Sequence, residues 1–417
     1  MILKPTSHFS GTIQIPGSKS ISNRVLLLGA MAEGRSSFLG FLESDDTRYM
    51  RSALEKLGVS MISSFYQNYT SKILRVNGIR ANFVNKDANL FLGNAGTAVR
   101  SLTAALCTGC GEYILRGEPR MHERPIKDLV DSLCSLGADI EYLGHEGFLP
   151  LKIKANGLNG GVVHINGNVS SQFLTALLIA APYCKEPLEI IVTGELISKP
   201  YIHMTICLME KFGIKVENNN YKSFKVEKGC YKAQEFQIEG DASSASYFWA
   251  GAAITAGDVV VNGISEDSLQ GDVKFLDVLK KMGPDLQGIT VDATFFPDAA
   301  MTICPVACYA KGKTRITGIA SWRVKETDRI SAMANELRKV GAGVETGDDF
   351  IEITPPETIL PAVIETYNDH RMAMCFSLLS LNSPHKKGTE ITILNPSCVK
   401  KTFPEYFSLF DKLKNKL

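Results

Sequence analysis

The chain has no surplus of charge of either sign: 45 Lys and Arg stand against 44 Asp and Glu, a formal net charge of +1. Proteins that hold nucleic acid or an anionic membrane by charge carry a basic excess, so neither partner is expected. A pocket for small anions stays open, because cations can gather locally while the total remains near zero. Long apolar runs are also missing. The most extended, Phe173 to Tyr183, is far short of the roughly 20 residues a membrane span needs. The opening residues, MILKPTSHFSGTIQIPGSKS, hold neither an apolar core with basic flanks nor an Arg- and Ser-rich amphipathic stretch, so a cytoplasmic protein is expected. A disulfide framework is absent too: ten cysteines are scattered through 417 residues of which 45% are apolar. Such a chain builds its own cores and needs no covalent staples, so reduced, mostly buried thiols are expected. Cys107 and Cys110 form a lone C-x-x-C with no second pair at zinc spacing, and no metal is assigned to it.

What is present is a repeat. The length predicts two or three domains. Six segments share one design, a polar cluster opening onto a run of apolar residues. They begin near Ser18 (SKSISNRVLLLGAMAEG), Asn94 (NAGTAVRSLTAALCTG), Ser170 (SSQFLTALLIAAPYC), Asp241 (DASSASYFWAGAAITAG), Asp298 (DAAMTICPVACYAKG) and Asp369 (DHRMAMCFSLLSLNS). Ser, Asn and Asp are favoured helix caps, so each cluster reads as a helix N-terminus. Each run leads to a short β-rich piece: SFLGF, YILRGE, LEIIVTGE, VVVNGI, TRITGI or ITILNP. A second helix then follows in most copies, as in MRSALEKLGV or MANELRKVGA. The spacing, about 57 to 76 residues, is long for a solenoid and fits a six-fold α/β repeat.

After its cap the first helix of each repeat is almost wholly apolar, so it is expected to be buried. Six buried helices divide into two groups of three, hence two similar α/β domains. The free N–H groups and positive dipole ends at helix N-termini attract anions. The unusual polar residues of the chain lie at those same tips.

The first tip reads Gly17-Ser18-Lys19-Ser20-Ile21-Ser22-Asn23-Arg24. Ser20 and Arg24 stand four apart on one helical face, where a hydroxyl and a guanidinium can grip one carboxylate. Lys19 adds a mobile point charge. GSKS echoes a phosphate loop but lacks the glycine further upstream, so that motif fails. Read alone, the segment is equally a solvated cap.

The stretch IPGSKSISNRVLLLGAMAEG resembles the opening of the 5-enolpyruvylshikimate-3-phosphate synthase family. The resemblance continues in order through LFLGNAGTAVR, LRGEPRMHERPI, VSSQFLTALL, GELISKPYI, EGDASSASYF, PDAAMTI, WRVKETDR, YNDHRMAMCFSL and KTFPEY. It covers nearly the whole chain. It implies two similar domains, each of three repeated α/β units with buried parallel helices, the inverse α/β barrel of the enolpyruvyl transferases, with the active site in the cleft between them. One domain would be discontinuous, residues 1–19 and 240–417, carrying the catalytic acids and part of the phosphoenolpyruvate site. The inserted domain, 20–239, would carry most of the shikimate 3-phosphate site. The implied reaction moves the enolpyruvyl group of phosphoenolpyruvate onto the 5-hydroxyl of shikimate 3-phosphate and releases phosphate. The implied partners are these two metabolites, with no cofactor, no metal, no nucleic acid and no membrane, in a monomer.

Residue by residue, the resemblance implies that Lys19, Ser20, Arg24, Ser170, Ser171, Gln172, Ser198, Tyr201, Asp298 and Lys325 bind shikimate 3-phosphate. Lys19, Asn94, Gly96, Thr97, Arg124, Gln172, Arg329, His370, Arg371 and Lys401 would bind phosphoenolpyruvate. Asp298, Glu326 and Lys19 would carry the chemistry. The residues themselves support parts of this. Gly96 gives a ligand close access to the backbone. Thr97 and Arg100 lie three apart on one face, as do Glu326 and Arg329, and Lys325 and Arg329 stand four apart on an expected helix. Arg120 and Glu123 read as structural. Without the resemblance, Ser170-Ser171 is a good cap, Asp298 a plain N-cap, and 322–329 a solvated surface helix. Two substrates with a phosphate and a carboxylate each bring about six negative charges together, which many cations must offset.

Two positions depart from the family pattern. Ser321 stands where Asn is common, which puts one shikimate contact in doubt. Ser101 stands where Pro is common and leaves the response to glyphosate open. The sister transferase acting on UDP-N-acetylglucosamine shares the repeat but usually carries a reactive Cys in the loop corresponding to 115–124, where this chain has none.

Overall fold

Each of the six apolar runs becomes helical, the one after Asp298 as a 3-10 turn, Ala299–Thr302, leading into the short helix Ile303–Ala307. The structure, a computed structural model, describes residues 1–65 and 72–414. The chain divides into two compact units: Met1–Pro16 with Gly240–Leu417, and Gly17–Glu239. The first crossing therefore falls between Pro16 and Gly17, three residues ahead of the boundary drawn at 19/20. The reason is local. Ser18 caps the helix Lys19–Met31 by accepting the Ile21 N–H, so the cap and its helix stay in one unit.

In the inserted unit, Gly17–Glu239, the repeat is strand, helix, strand, helix, hairpin. One copy runs Asp87–Phe91, Gly96–Cys107, Cys110–Arg116, Lys127–Ser135, Asp139–Tyr142 and Leu151–Asn156. The next runs Gly161–Asn166, Ser171–Ala180, Leu188–Thr193, Lys199–Lys211, Val216–Asn219 and Ser223–Val226. In each, the first two strands pair in parallel and the hairpin adds two antiparallel strands. The remaining copy begins directly with the helix Lys19–Met31. Its missing first strand is supplied by the end of the unit: Glu235–Gln237 pairs in parallel with Glu33–Leu39.

The discontinuous unit repeats the device. Thr290–Asp292 and Thr314–Thr317 pair in parallel, and the hairpin Gly343–Thr346 with Phe350–Thr354 completes that sheet. Gly11–Gln14 pairs in parallel with Val259–Asn262. Ile2–Leu3 pairs antiparallel with Ile391–Ile393, which is itself parallel to Ala362–Ile364.

The helices that follow the first strands are buried, as their composition predicts. Val25, Leu26, Leu27 and Leu28 have no exposed surface, and each such side chain stabilises the fold by roughly 1.5–3 kcal/mol relative to exposure. In the discontinuous unit Phe9, Phe248, Phe403, Tyr406 and Phe410 form a ring cluster with centroids 5.1–6.5 Å apart. All ten cysteines are free thiols, six of them buried. No helix among the described residues is long and apolar enough to cross a membrane.

Candidate functional site

In the inserted unit the tips of three helices converge. Asn23 donates to the Thr97 hydroxyl at 3.1 Å, joining the first tip to the second. Arg100 Nη1 donates to Gln172 Oε1 at 2.8 Å, joining the second to the third.

Arg24 lies under these tips and is 4% exposed. Its Nε donates to the Thr205 hydroxyl at 2.9 Å, Nη1 to the Ser20 carbonyl at 2.9 Å, and Nη2 to the Tyr201 carbonyl at 3.4 Å and the Thr175 hydroxyl at 3.5 Å. Thr205 in turn donates to the Tyr201 carbonyl at 2.8 Å and meets Thr175 at 3.2 Å. The guanidinium is thus held in one plane by neutral acceptors. Burial pushes its pKa down to about 10, with Tyr201 acting in the opposite sense, so Arg24 keeps its charge at neutral pH. Ser20 meets Arg24 through its carbonyl, so the Ser20 hydroxyl is not committed to that pairing.

Asn94 is not the cap that the sequence suggests. Ala95 holds that position ahead of the helix Gly96–Cys107, and Asn94 instead gives both its carbonyl and its side-chain oxygen to Arg124 Nη1, at 3.1 and 2.9 Å. A Cβ on Gly96 would lie 2.5 Å from Arg100 Nη1 and 2.6 Å from Arg124 Nη2. Glycine there lets two guanidinium groups rest on a helix tip, where the free N–H groups are also directed. Lys19 Nζ lies 3.6 Å from Asp46 Oδ2, both largely buried. Ser170 caps its helix by accepting the Gln172 N–H, and Ser171 is buried as the first helical residue. Ser198 takes a left-handed backbone, φ 55°, at the start of the helix Lys199–Lys211, and its carbonyl accepts the Tyr201 N–H at 3.1 Å. Arg120 and Glu123 pair at 2.8 Å at the surface.

The discontinuous unit holds a second cluster. Arg329 is 1% exposed and touches three carboxylates: Asp369 Oδ2 at 2.7 Å, Glu326 Oε2 at 2.8 Å and Asp298 Oδ1 at 3.1 Å. Burial alone would lower its pKa, but Asp369, Glu326 and Asp298 reverse that and hold it well above its ordinary value. Arg371 Nη2 donates to Asp298 Oδ2 at 3.0 Å and Nη1 to the Tyr247 hydroxyl at 3.2 Å. Lys325 Nζ lies 3.8 Å from Asp298 Oδ1. His370 is buried, its Nδ1 3.5 Å from Asp369 Oδ1. Lys401 closes the 3-10 turn Pro396–Lys401, which packs on the helix His370–Ser377.

Two expectations are corrected here. Lys325, Glu326 and Arg329 do not share a helix: Ala320–Val324 is a 3-10 turn, and Arg329–Lys339 starts behind the cap Asp328. The Asp328 carboxylate takes the Ser331 N–H at 3.2 Å, so the helix begins later than the charge spacing implies and Lys325 and Glu326 lie in the link. Asp298 occupies an N-cap position, but its side chain makes no capping bond. Both of its oxygens face arginines, and the Ala299 N–H goes to Asp272 Oδ1 at 2.8 Å. Asp46, Asp272, Thr175 and Thr205 carry no local motif, which is why the sequence passes over them. Ser321 sits in the turn beside Trp322, whose indole donates to the Pro297 carbonyl at 2.7 Å and fixes the approach to Asp298.

Comparison with known proteins gives a consistent answer. The family described as EPSP synthase (3-phosphoshikimate 1-carboxyvinyltransferase) matches residues 3–410. A 3-phosphoshikimate 1-carboxyvinyltransferase of Marinomonas sp. (strain MWYL1) is 53% identical over 431 residues, covering 99% of each chain. One of Shewanella amazonensis (strain ATCC BAA-1098 / SB2B) is 51% identical over 428 residues, covering 99% of this chain and 98% of the other. The solved EPSP synthase of Acinetobacter baumannii superposes with a TM-score of 0.80 at 26% identity, over 99% of this chain and 97% of that one. The chain belongs to the EPSP synthase family.

Proposed function

We propose that the chain is a 3-phosphoshikimate 1-carboxyvinyltransferase of aromatic amino acid biosynthesis, and that its two clusters divide the work of one reaction. The observation that carries this reading is the second cluster. Asp298 and Glu326, the two candidate acid–base groups, are locked to the same buried guanidinium, at 3.1 and 2.8 Å from Arg329. Two carboxylates fixed on one rigid fork keep a constant separation, which is what two proton transfers at neighbouring atoms require.

In this reading the inserted unit takes shikimate 3-phosphate. Ser20 and Arg24 receive its carboxylate, Ser170, Ser171 and Ser198 its phosphate, and Gln172 and Tyr201 its ring. Hydroxyls and helix-tip N–H groups suit a phosphate without demanding a further charge. Arg124 with Asn94, Gly96 and Thr97, together with Arg329, His370, Arg371 and Lys401, takes phosphoenolpyruvate. Arginine suits this work because its planar fork matches phosphate and carboxylate oxygens in pairs.

The chemistry then needs four proton movements. Glu326, a carboxylate beside Arg329 in the free protein, takes up a proton as the anionic substrates bind and delivers it to the methylene carbon of phosphoenolpyruvate, which makes C2 electrophilic. The 5-hydroxyl adds to C2 and its proton passes to Asp298. The tetrahedral adduct is non-covalent with respect to the protein. Phosphate leaves C2 with a proton from Lys19, and a methyl proton returns to Glu326 as the enol double bond re-forms. After turnover the proton held by Asp298 passes through solvent to Lys19, which restores both groups. The cations stabilise charge as it gathers on the departing phosphate.

Phosphate release from phosphoenolpyruvate, measured with and without shikimate 3-phosphate, tests the reading. Release that requires shikimate 3-phosphate supports it. Release driven equally well by UDP-N-acetylglucosamine, or by neither acceptor, refutes it.

A further inference from the structure

We infer that Asp272 is a positioning residue for Asp298: it takes over the backbone hydrogen bond at the start of that helix, which leaves both Asp298 oxygens to the arginines. The inference rests on the assignment of Asp298 to the chemical step.

An aspartate at a helix start has an ordinary use for its side chain. Its carboxylate folds back onto an N–H of the first turn. Asp241 does this with Ser244 at 2.8 Å, and Asp369 with Arg371 at 2.9 Å. Asp298 also precedes a helical turn, but its backbone is already helical (φ −78°, ψ −44°) where theirs are extended, and its side chain makes no such bond. If its carboxylate turned back to cap the first turn, its contacts at 3.1 Å to Arg329 and 3.0 Å to Arg371 would be lost. Something else must satisfy the local backbone.

Asp272 does. It sits in the 3-10 turn Gly271–Lys274 and is 5% exposed. Its Oδ1 accepts the Ala299 N–H at 2.8 Å, and its Oδ2 accepts the Ser243 hydroxyl at 3.0 Å. The neighbouring Gln270 anchors the same turn: its Oε1 accepts the Ala242 N–H at 3.0 Å, and its Nε2 donates to the Gly240 carbonyl at 2.7 Å. The peptide that carries Asp298 is therefore tied through one buried carboxylate to the helix Ala242–Thr255. From the other side, Trp322 holds the Pro297 carbonyl at 2.7 Å. Asp298 hangs between these two fixed points.

The carboxylate carries an electrostatic cost, and the hydrogen bond to Ala299 does not require its charge. Burial first, then repulsion from Asp298 and Asp241, pushes the Asp272 carboxyl up to about 6, against Arg371 and the Ala299 N–H. A neutral Ser or Asn could accept the same N–H without this repulsion.

The test compares Asp272→Ala, Asp272→Asn and Ser243→Ala in the full chain, by steady-state kinetics with both substrates. Asp272→Ala is expected to lower kcat by about tenfold to a hundredfold, the scale of a slightly misplaced group, with each KM changed by less than about threefold. Asp272→Asn keeps an acceptor for Ala299 and a partner for Ser243, and is expected within about threefold of the parent kcat. Ser243→Ala, which only loosens Asp272, is expected to lower kcat severalfold. If Asp272→Ala does not fold, the other two decide: parent-like kcat in Ser243→Ala overturns the inference. Equal loss in Asp272→Ala and Asp272→Asn also overturns it, because charge rather than the hydrogen bond would then matter. Asp298→Ala in the same assay separates the two levels. Full turnover there removes the role of Asp298 itself, whereas an inactive Asp298→Ala beside unaffected Asp272 variants removes only the present inference.

Discussion

Arg371 Nη2 stands 3.0 Å from Asp298 Oδ2, although 73 positions separate the two residues in sequence. One oxygen of Asp298 faces Arg371 and the other faces Arg329. The carboxylate is aimed by two guanidinium groups rather than by its own helix. Asp298→Ala is expected to lower kcat by about two to four decades, the usual worth of a positioned acid or base, with modest change in either KM. Near-parent turnover, measured as phosphate release, removes the role.

Glu326 makes a different prediction, because its proposed partner is carbon. In deuterated solvent the parent is expected to place deuterium in the methylene group when both substrates are present. Glu326→Gln is expected to lose that exchange together with about two to four decades of kcat. Proton spectra of recovered phosphoenolpyruvate decide it, and undiminished exchange in the variant refutes the assignment.

Thr205 aims Arg24 through Nε at 2.9 Å. Thr205→Val keeps the shape and removes the acceptor. The KM for shikimate 3-phosphate is expected to rise about tenfold, equivalent to roughly 1.4 kcal/mol, while that for phosphoenolpyruvate stays within about twofold. Equal rises in both would show a general loss of packing instead.

Gly96→Ala brings a methyl group to within 2.5 and 2.6 Å of Arg100 and Arg124. The atoms met are the ends of long side chains, so they move and the chain still folds, with Tm lowered by less than about 4 °C. The KM for phosphoenolpyruvate is expected to rise severalfold, more than that for shikimate 3-phosphate. Thermal melting and steady-state kinetics on the same variant check both halves.

Asp272 gives a pH signature. Its folded pKa, pushed up to about 6 by burial and by Asp298, exceeds the roughly 3.9 of an unfolded aspartate. Between those values the native state binds more protons, so this group's stabilising contribution is full below about pH 4 and is lost as pH rises through 6. Asp272→Asn removes the titration. Its Tm relative to the parent is expected to climb from pH 4 to pH 6 and then level off. A flat difference across that window refutes the shift.

Much of the fold was legible because the repeat writes itself in composition. Every apolar run that follows a polar cluster became helical and buried, and the pieces SFLGF, YILRGE, LEIIVTGE, VVVNGI, TRITGI and ITILNP all became or ended strands. Helix starts were less legible. Asp328 outcompetes the Lys325–Arg329 spacing as a start signal, and Asn94 spends its oxygens on Arg124 rather than on a helix. The candidate residues could be named, yet their supports could not. Thr175 and Thr205 look like ordinary helix interior, and Asp46 and Asp272 like ordinary first-turn acids. Their roles come from long-range neighbours that no spacing rule reports.

The pairing of the first strand, Ile2–Leu3, with Ile391–Ile393 governs the order in which this protein is completed. Met1 gives its ammonium to the Ile393 carbonyl at 2.8 Å across 392 positions, whereas every strand of the inserted unit finds its partners between Gly17 and Glu239. During synthesis the insert therefore has all its pairing partners while the first strand still waits for its own, and translation that stops short of Ile391 leaves the N-terminal edge without a mate.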